Sequence, residues 1–201
     1  DLIGTQVKVD SFLLEELNIF SMKDSALIVN NIEVFDKDNE LIAKVDKAKV
    51  TFKLLDLSVL DKGAGIVDEI NILGAQAFLK KREDNSWNVQ DIKIKDTGES
   101  TFGATINLTG GVVSAEFDGK NISVEEIEAT ADCSDLNAVG TNLSAKTLGS
   151  HILATGTLGL NQQIINAVID TADISKILPY LPENTLPENV EIHGGTATNI
   201  V

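Results

Sequence analysis

Apolar and polar residues alternate with period two through most of this chain, and the alternation changes phase inside segments that are otherwise continuous. Leu27 and Val29 are followed by Ile32 and Val34, with the change at Asn30 and Asn31. Strand side chains point to opposite faces in turn, so one added residue reverses every face that follows. Each slip therefore marks a bulge or a tight bend. After a polar turn at residues 36–39, Leu41, Ala43 and Val45 give way to Ala48, Val50 and Phe52 across Asp46 and Lys47. The alternate positions are largely Lys and Glu, which is the pattern of an antiparallel sheet with one apolar and one wet face.

The rhythm continues through Val7 and Val9, through Ile70 and Ile72, and through Ala75, Ala77 and Leu79. A charged hairpin tip at residues 80–86 follows, then a strand carrying Trp87 and Val89. Further on, Phe102, Ala104, Ile106 and Leu108 precede Thr109-Gly110-Gly111, and Val113, Ala115 and Phe117 precede an Asp-Gly-Lys-Asn turn. Ile122, Val124, Ile127, Ala129, Ala131 and Cys133 come next, then Ile152, Ala154, Gly156 and Leu158, and a last strand reaches Val201. Two stretches break the pattern. Leu54, Leu55, Leu57 and Leu60 suit a short helix, and Ile174, Ile177, Leu178 and Leu181 form a second helical stripe that Pro179 stops near Leu178.

About a dozen short strands joined by turns predict an all-β meander with two short helical segments. A closed barrel or a two-sheet sandwich buries its apolar face on itself, whereas an unclosed curved sheet forms an apolar trough. Only 4% of the residues are aromatic, so the inward series is aliphatic and small, and the expectation is the curved open antiparallel trough. Its lining is predicted to include Val50, Phe52, Ile72, Phe102, Ile106, Phe117, Val124, Ile127 and Leu158. Trp87 is read as a structural plug at the sheet margin, its indole covering the apolar end of a strand that restarts after the hairpin.

Charge narrows the function. Residues 1–97 hold thirteen of the sixteen basic residues against eighteen acids, and the remainder holds three against thirteen, within a net charge of -15. This field repels phosphate backbones, and no basic stripe with aromatic residues offsets it, so nucleic acid is set aside as a partner. The change in composition near residues 96–101 suggests an internal boundary, with one part at 1–97 and a second at 98–201 that carries the helix near 173–181. No apolar run reaches the length of a membrane-spanning helix.

No motif carries catalysis. His151 and His193 belong to no metal-binding pair, Cys133 has no partner thiol, and neither a nucleophile elbow nor a phosphate loop occurs. The acids of "FDKDNE" alternate as in a calcium loop but lack its central glycine and terminal glutamate, so a turn accounts for them better. The expectation is a non-enzymatic protein without metal or cofactor. The sequons at Asn107, Asn121 and Asn142 matter only in a eukaryotic secreted protein.

The ordered set "LIAKVDKAKVTFKLLDL", "IVDEINILGAQAFLKKREDNSWNVQDI", a long acidic alternating region and "DISKILPYLP" resembles the AsmA-like superfamily, most closely its TamB branch in the translocation and assembly module. The match to the recurring turn followed by Trp-Asn and Asp-Ile falls on Trp87, Asn88, Asp91 and Ile92. The chain departs from it in having Asp84, Asn85 and Ser86 where Asp-Gly is common. The resemblance implies a repeating β-groove of a periplasmic protein, anchored in the inner membrane by an N-terminal helix outside this sequence. It further implies phospholipid or another acyl-chain ligand, a role in outer-membrane biogenesis, and an Omp85-type outer-membrane barrel as partner of the whole protein. The alternative from the residues alone is a structural or adhesive β-rich repeat, a β-helix or sandwich with a dry core and no lipid.

Overall fold

The computed structural model describes residues 6–16, 24–52, 67–92, 103–135, 137–159, 163–180 and 196–200. The strands are β1 (Val7–Glu16), β2 (Ser25–Phe35), β3 (Leu41–Phe52), β4 (Val67–Lys80), β5 (Thr105–Phe117), β6 (Lys120–Asp132), β7 (Val139–Thr147), β8 (Ser150–Leu158), β9 (Gln163–Asp173) and β10 (Thr196–Ile200). They lie side by side in that order in one sheet, with β1 and β10 at its two edges. The sheet is open: among the described residues it is neither closed on itself nor divided in two.

Short turns explain most of this order. Phe117 pairs with Lys120 and Thr147 with Ser150, and the two residues between have positive φ in both cases, 50° and 72° at Asp118 and Gly119, 50° and 76° at Leu148 and Gly149. These are the two-residue hairpin loops whose twist matches that of the flanking strands.

One expectation is corrected. The meander is mixed, because β4 and β5 run parallel while every other neighbouring pair is antiparallel. The tip after β4 does turn: Arg82 N–H donates to the Ser86 carbonyl, and Lys81 makes a single bridge to Trp87. Among the described residues no strand follows it before β5. Asn88–Asp91 wind into a 3-10 turn, and the chain re-enters the sheet at Thr105 beside Glu69. Parallel neighbours need a crossover of a dozen residues or more, and residues 81–104 supply it.

The phase slips lie within strands rather than between them, so the strands number ten among the described residues and run as long as the fourteen residues of β4. Asn31, Gly74, Gly110 and Glu126 have φ of 50°, 66°, 67° and 50°, and they occur where the alternation changes in β2, β4, β5 and β6. In β7 no residue has positive φ, yet it pairs Leu143 with Ala129 and Thr147 with Val124. Leu143 and Thr147 are four apart and share a face, so Val124 and Ala129, five apart, share it too. The bulges keep the apolar residues of both halves on one side of the sheet.

The segment α1 (Ile174–Ile177) continues as a 3-10 turn at Leu178–Tyr180, which agrees with the expected stop before Pro179. It leads back across the hairpin ends, where the Tyr180 hydroxyl donates to the Asn121 carbonyl at 2.6 Å. The expected helix at Leu54–Leu60, the boundary at 96–101, Phe102 and His193 lie outside the described residues.

Candidate functional site

The chain exposes 13346 Å2, whereas a compact monomer of 21.5 kDa exposes about 9,200 Å2. Its fully buried apolar residues are few and mostly small: Ala26, Ala48, Ala104, Cys133 and Ala145 with Ile28, Ile42 and Ile127 among those described. The apolar side chains are instead arranged in rows across the strands. One row runs Leu14, Leu27, Val50, Ile70, Ile106, Ala131, Thr141, Gly156, Ile165. The next row on the same face runs Phe12, Val29, Ala48, Ile72, Leu108, Ala129, Leu143, Ala154, Ala167. Beyond the bulges, Val7, Val34, Ala43, Ala77, Val113 and Val124 continue that face.

Between the first two rows, on the opposite face, lies a polar one: Lys49, Asn71, Asn107, Thr130, Asn142, Thr155, Asn166. Its centre is hydrogen-bonded strand to strand. Asn107 Nδ2 donates to Glu69 Oε1 at 2.8 Å and to Asn71 Oδ1 at 3.1 Å, and the Thr130 hydroxyl donates to Asn107 Oδ1 at 3.2 Å. A shallow depression of about 560 Å3 follows this face, between Thr130 and Asn142 on one side and Glu128 and Ser144 on the other.

Of the expected lining residues, Val50 and Ile106 stand in the first apolar row and Ile72 in the second. Phe52 and Leu158 lie two residues along from Val50 and Gly156, hence on the same face, and Leu158 is 39% exposed. Ile127 is buried against Gly111, and Val124 and Phe117 belong to the half beyond the bulges. Trp87 borders that half, with its indole 6.3 Å from the Phe117 ring at a tilt of 54°.

The residues around Trp87 form a polar margin that the alternation does not announce. Asn88 is 3% exposed. Its side chain completes the main-chain bonding of β4: Lys80 N–H donates to Asn88 Oδ1 at 2.9 Å, and Asn88 Nδ2 donates to the Phe78 carbonyl at 2.7 Å. Arg82 Nη2 lies 3.1 Å from Asp36 and 2.5 Å from Asp91, and 3.7 Å from Asp38. The same three carboxylates lie within 4.8 Å of one another. A guanidinium already stands among them, so the charge they need is supplied by the chain itself. The hydrogen bond from Arg82 holds the Asp91 carboxyl below its ordinary value. Asp36 is buried and accepts from the N–H groups of Asp38 and Glu40, so the "FDKDNE" acids form a turn.

His151 pairs with Lys146 in the β7–β8 hairpin, and burial pushes the Cys133 thiol up. Among the described residues, no helix is long and apolar enough to cross a membrane. No protein family, curated protein or solved structure matches this chain.

Proposed function

We propose that this chain is a non-enzymatic, lipid-conducting segment of a bacterial envelope protein, with the apolar sheet face as the surface that carries acyl chains. The observation behind this reading is that apolar rows run from β1 to β9 without a charged residue while their large side chains remain half-exposed or exposed. Four strands at about 4.8 Å each span about 19 Å, the order of an extended acyl chain. Transfer of each methylene from water onto such a surface is favourable by about 0.8 kcal/mol. A headgroup turned away from this face stays in water, so a lipid moves along the rows from strand to strand without crossing a desolvation barrier. The AsmA-like resemblance supports the same device and adds a periplasmic setting, transport of phospholipid between two membranes, and an Omp85-type barrel as partner of the whole protein.

The test is photo-crosslinking to an acyl probe of the wild type and of a variant carrying Ile106→Asp and Leu158→Asp. Crosslinking is expected to disappear in the variant while far-ultraviolet circular dichroism stays that of a sheet. Undiminished crosslinking in a folded variant rules out the apolar face as the carrier, and a wild type that does not crosslink at all leaves a dry structural repeat.

A further inference from the structure

On the polar face, an aromatic ring stands beside hydrogen-bonding groups that the fold leaves idle. Phe78, Ser114 and Ser123 lie side by side in one row across β4, β5 and β6, and Lys80, Glu116 and Asn121 in the next. They alternate with Ala77, Val113 and Val124, so they point away from the apolar rows. With Glu40 and Asn88 they line an open depression of about 420 Å3, within the range of small-molecule sites, about 300–1,000 Å3.

The surroundings are held by the fold. Asn88 is buried, and both ends of its amide are bonded to the main chain of β4. Lys80 Nζ lies 3.5 Å from Glu40 Oε2, and the Tyr180 hydroxyl donates to the Asn121 carbonyl. Between them, the side chains of Ser114, Glu116, Asn121 and Ser123 make no hydrogen bond or ion pair with the described residues, whereas the polar row through Asn107 is bonded strand to strand. Phe78 is only half-buried.

This combination selects among ligands. An acyl chain would cut the hydroxyls, the amide and the carboxylate off from water with nothing in exchange. An anion meets the wrong charge, because the lining sets two carboxylates against one ammonium that is already paired, in a chain of net charge -15. A pyranose satisfies both halves of the site. Its axial C–H groups lie against the electron-rich face of an aromatic ring, and its hydroxyls donate to a carboxylate and exchange hydrogen bonds in either direction with serine and asparagine.

We infer that this depression binds a neutral sugar unit, free or at the end of a glycan, stacked on Phe78 and hydrogen-bonded by Ser114, Glu116, Asn121 and Ser123. The site is on the opposite face from the apolar rows, so it does not depend on acyl-chain carriage.

The experiment is amide NMR of the purified chain during titration with the methyl glycosides of glucose, galactose, mannose and N-acetylglucosamine, and with their disaccharides. At least one sugar is expected to give saturable shifts centred on residues 78–80, 114–116 and 121–123. Equal affinity for glycoside and disaccharide assigns a single unit, and tighter binding of the disaccharide assigns a glycan end; both support the site. Glu116→Gln is expected to weaken binding about tenfold, through loss of a charge-assisted hydrogen bond, with its urea midpoint unchanged. Phe78→Leu keeps apolar bulk but removes the ring face, and should abolish the saturable shifts. The Ile106→Asp and Leu158→Asp double variant should bind the sugar as wild type does. Absence of saturable shifts with every sugar, shifts centred elsewhere, or wild-type affinity in folded Glu116→Gln and Phe78→Leu overturns the inference. Tighter binding of glucuronic acid than of the glycosides overturns the neutral class.

Discussion

Replacing Asn88 by alanine removes a side chain that stands in for a strand. Two hydrogen bonds go with it, leaving the Lys80 N–H and the Phe78 carbonyl without partners beside a residue that is 3% exposed. A stranded main-chain group costs about 1–3 kcal/mol, and partial access of water at the margin lowers the sum, so the expected loss is about 2–4 kcal/mol. That is a large share of a typical stability of about 5–15 kcal/mol. Urea unfolding followed both by circular dichroism and by the fluorescence of Trp87 measures it. The midpoint should fall with the slope unchanged, because the surface exposed on unfolding stays the same. Asn88→Asp is the companion variant: it keeps an acceptor for the Lys80 N–H but sets a carboxylate against the Phe78 carbonyl, so it should lose at least as much. If Asn88→Ala stays within about 0.5 kcal/mol of wild type, as ordinary surface substitutions do, the side chain does not complete β4 and the account of this margin fails.

Gly74→Ala should cost about 1–3 kcal/mol, because φ there is 66° and an added Cβ meets Asp46 Oδ2. Adding Asp46→Ala should restore only the part due to contact, and full restoration in urea melts would remove φ from the explanation. For Asp91, the folded value lies below the ordinary 3.8, so its contribution is complete above that pH and fades as pH falls through the folded value. Asp91→Asn should therefore be less stable than wild type near neutrality, and the gap should narrow below about pH 4; a gap independent of pH refutes the Arg82 assignment. Trp87→Ala should lose about 1–2 kcal/mol through its contact with Phe117 while still crosslinking to an acyl probe. A stable Trp87→Ala protein that no longer crosslinks would reverse the roles given to Trp87 and the apolar rows.

The alternation was legible because its cause is local: a strand with one dry face needs apolar residues every second position. The slips at Asn30–Asn31 and before Ala75 were equally legible, and the structure assigns them to residues with positive φ such as Asn31 and Gly74. What those slips accomplish was not, because the shared face of Val124 and Ala129 emerges only from their common partner strand β7. The parallel pair of β4 and β5 was also hidden. The "REDNS" tip has every mark of a hairpin and does turn as one, but the direction of the next strand depends on a crossover of over twenty residues. Asn88 followed the tryptophan in full view, yet its partners are backbone groups of β4, and no side-chain pattern records them. Arg82 among Asp36, Asp38 and Asp91 unites two turns far apart in sequence, a junction that spacing alone does not disclose.

Native mass spectrometry of the purified chain, with organic extraction of the same sample, tests the central claim most directly. If the uncovered apolar rows carry acyl chains, the folded chain should retain phospholipid or detergent that is released when Ile106→Asp and Leu158→Asp are introduced together. A folded wild-type chain that arrives bare, with nothing extractable, contradicts lipid carriage and makes this open sheet a structural repeat.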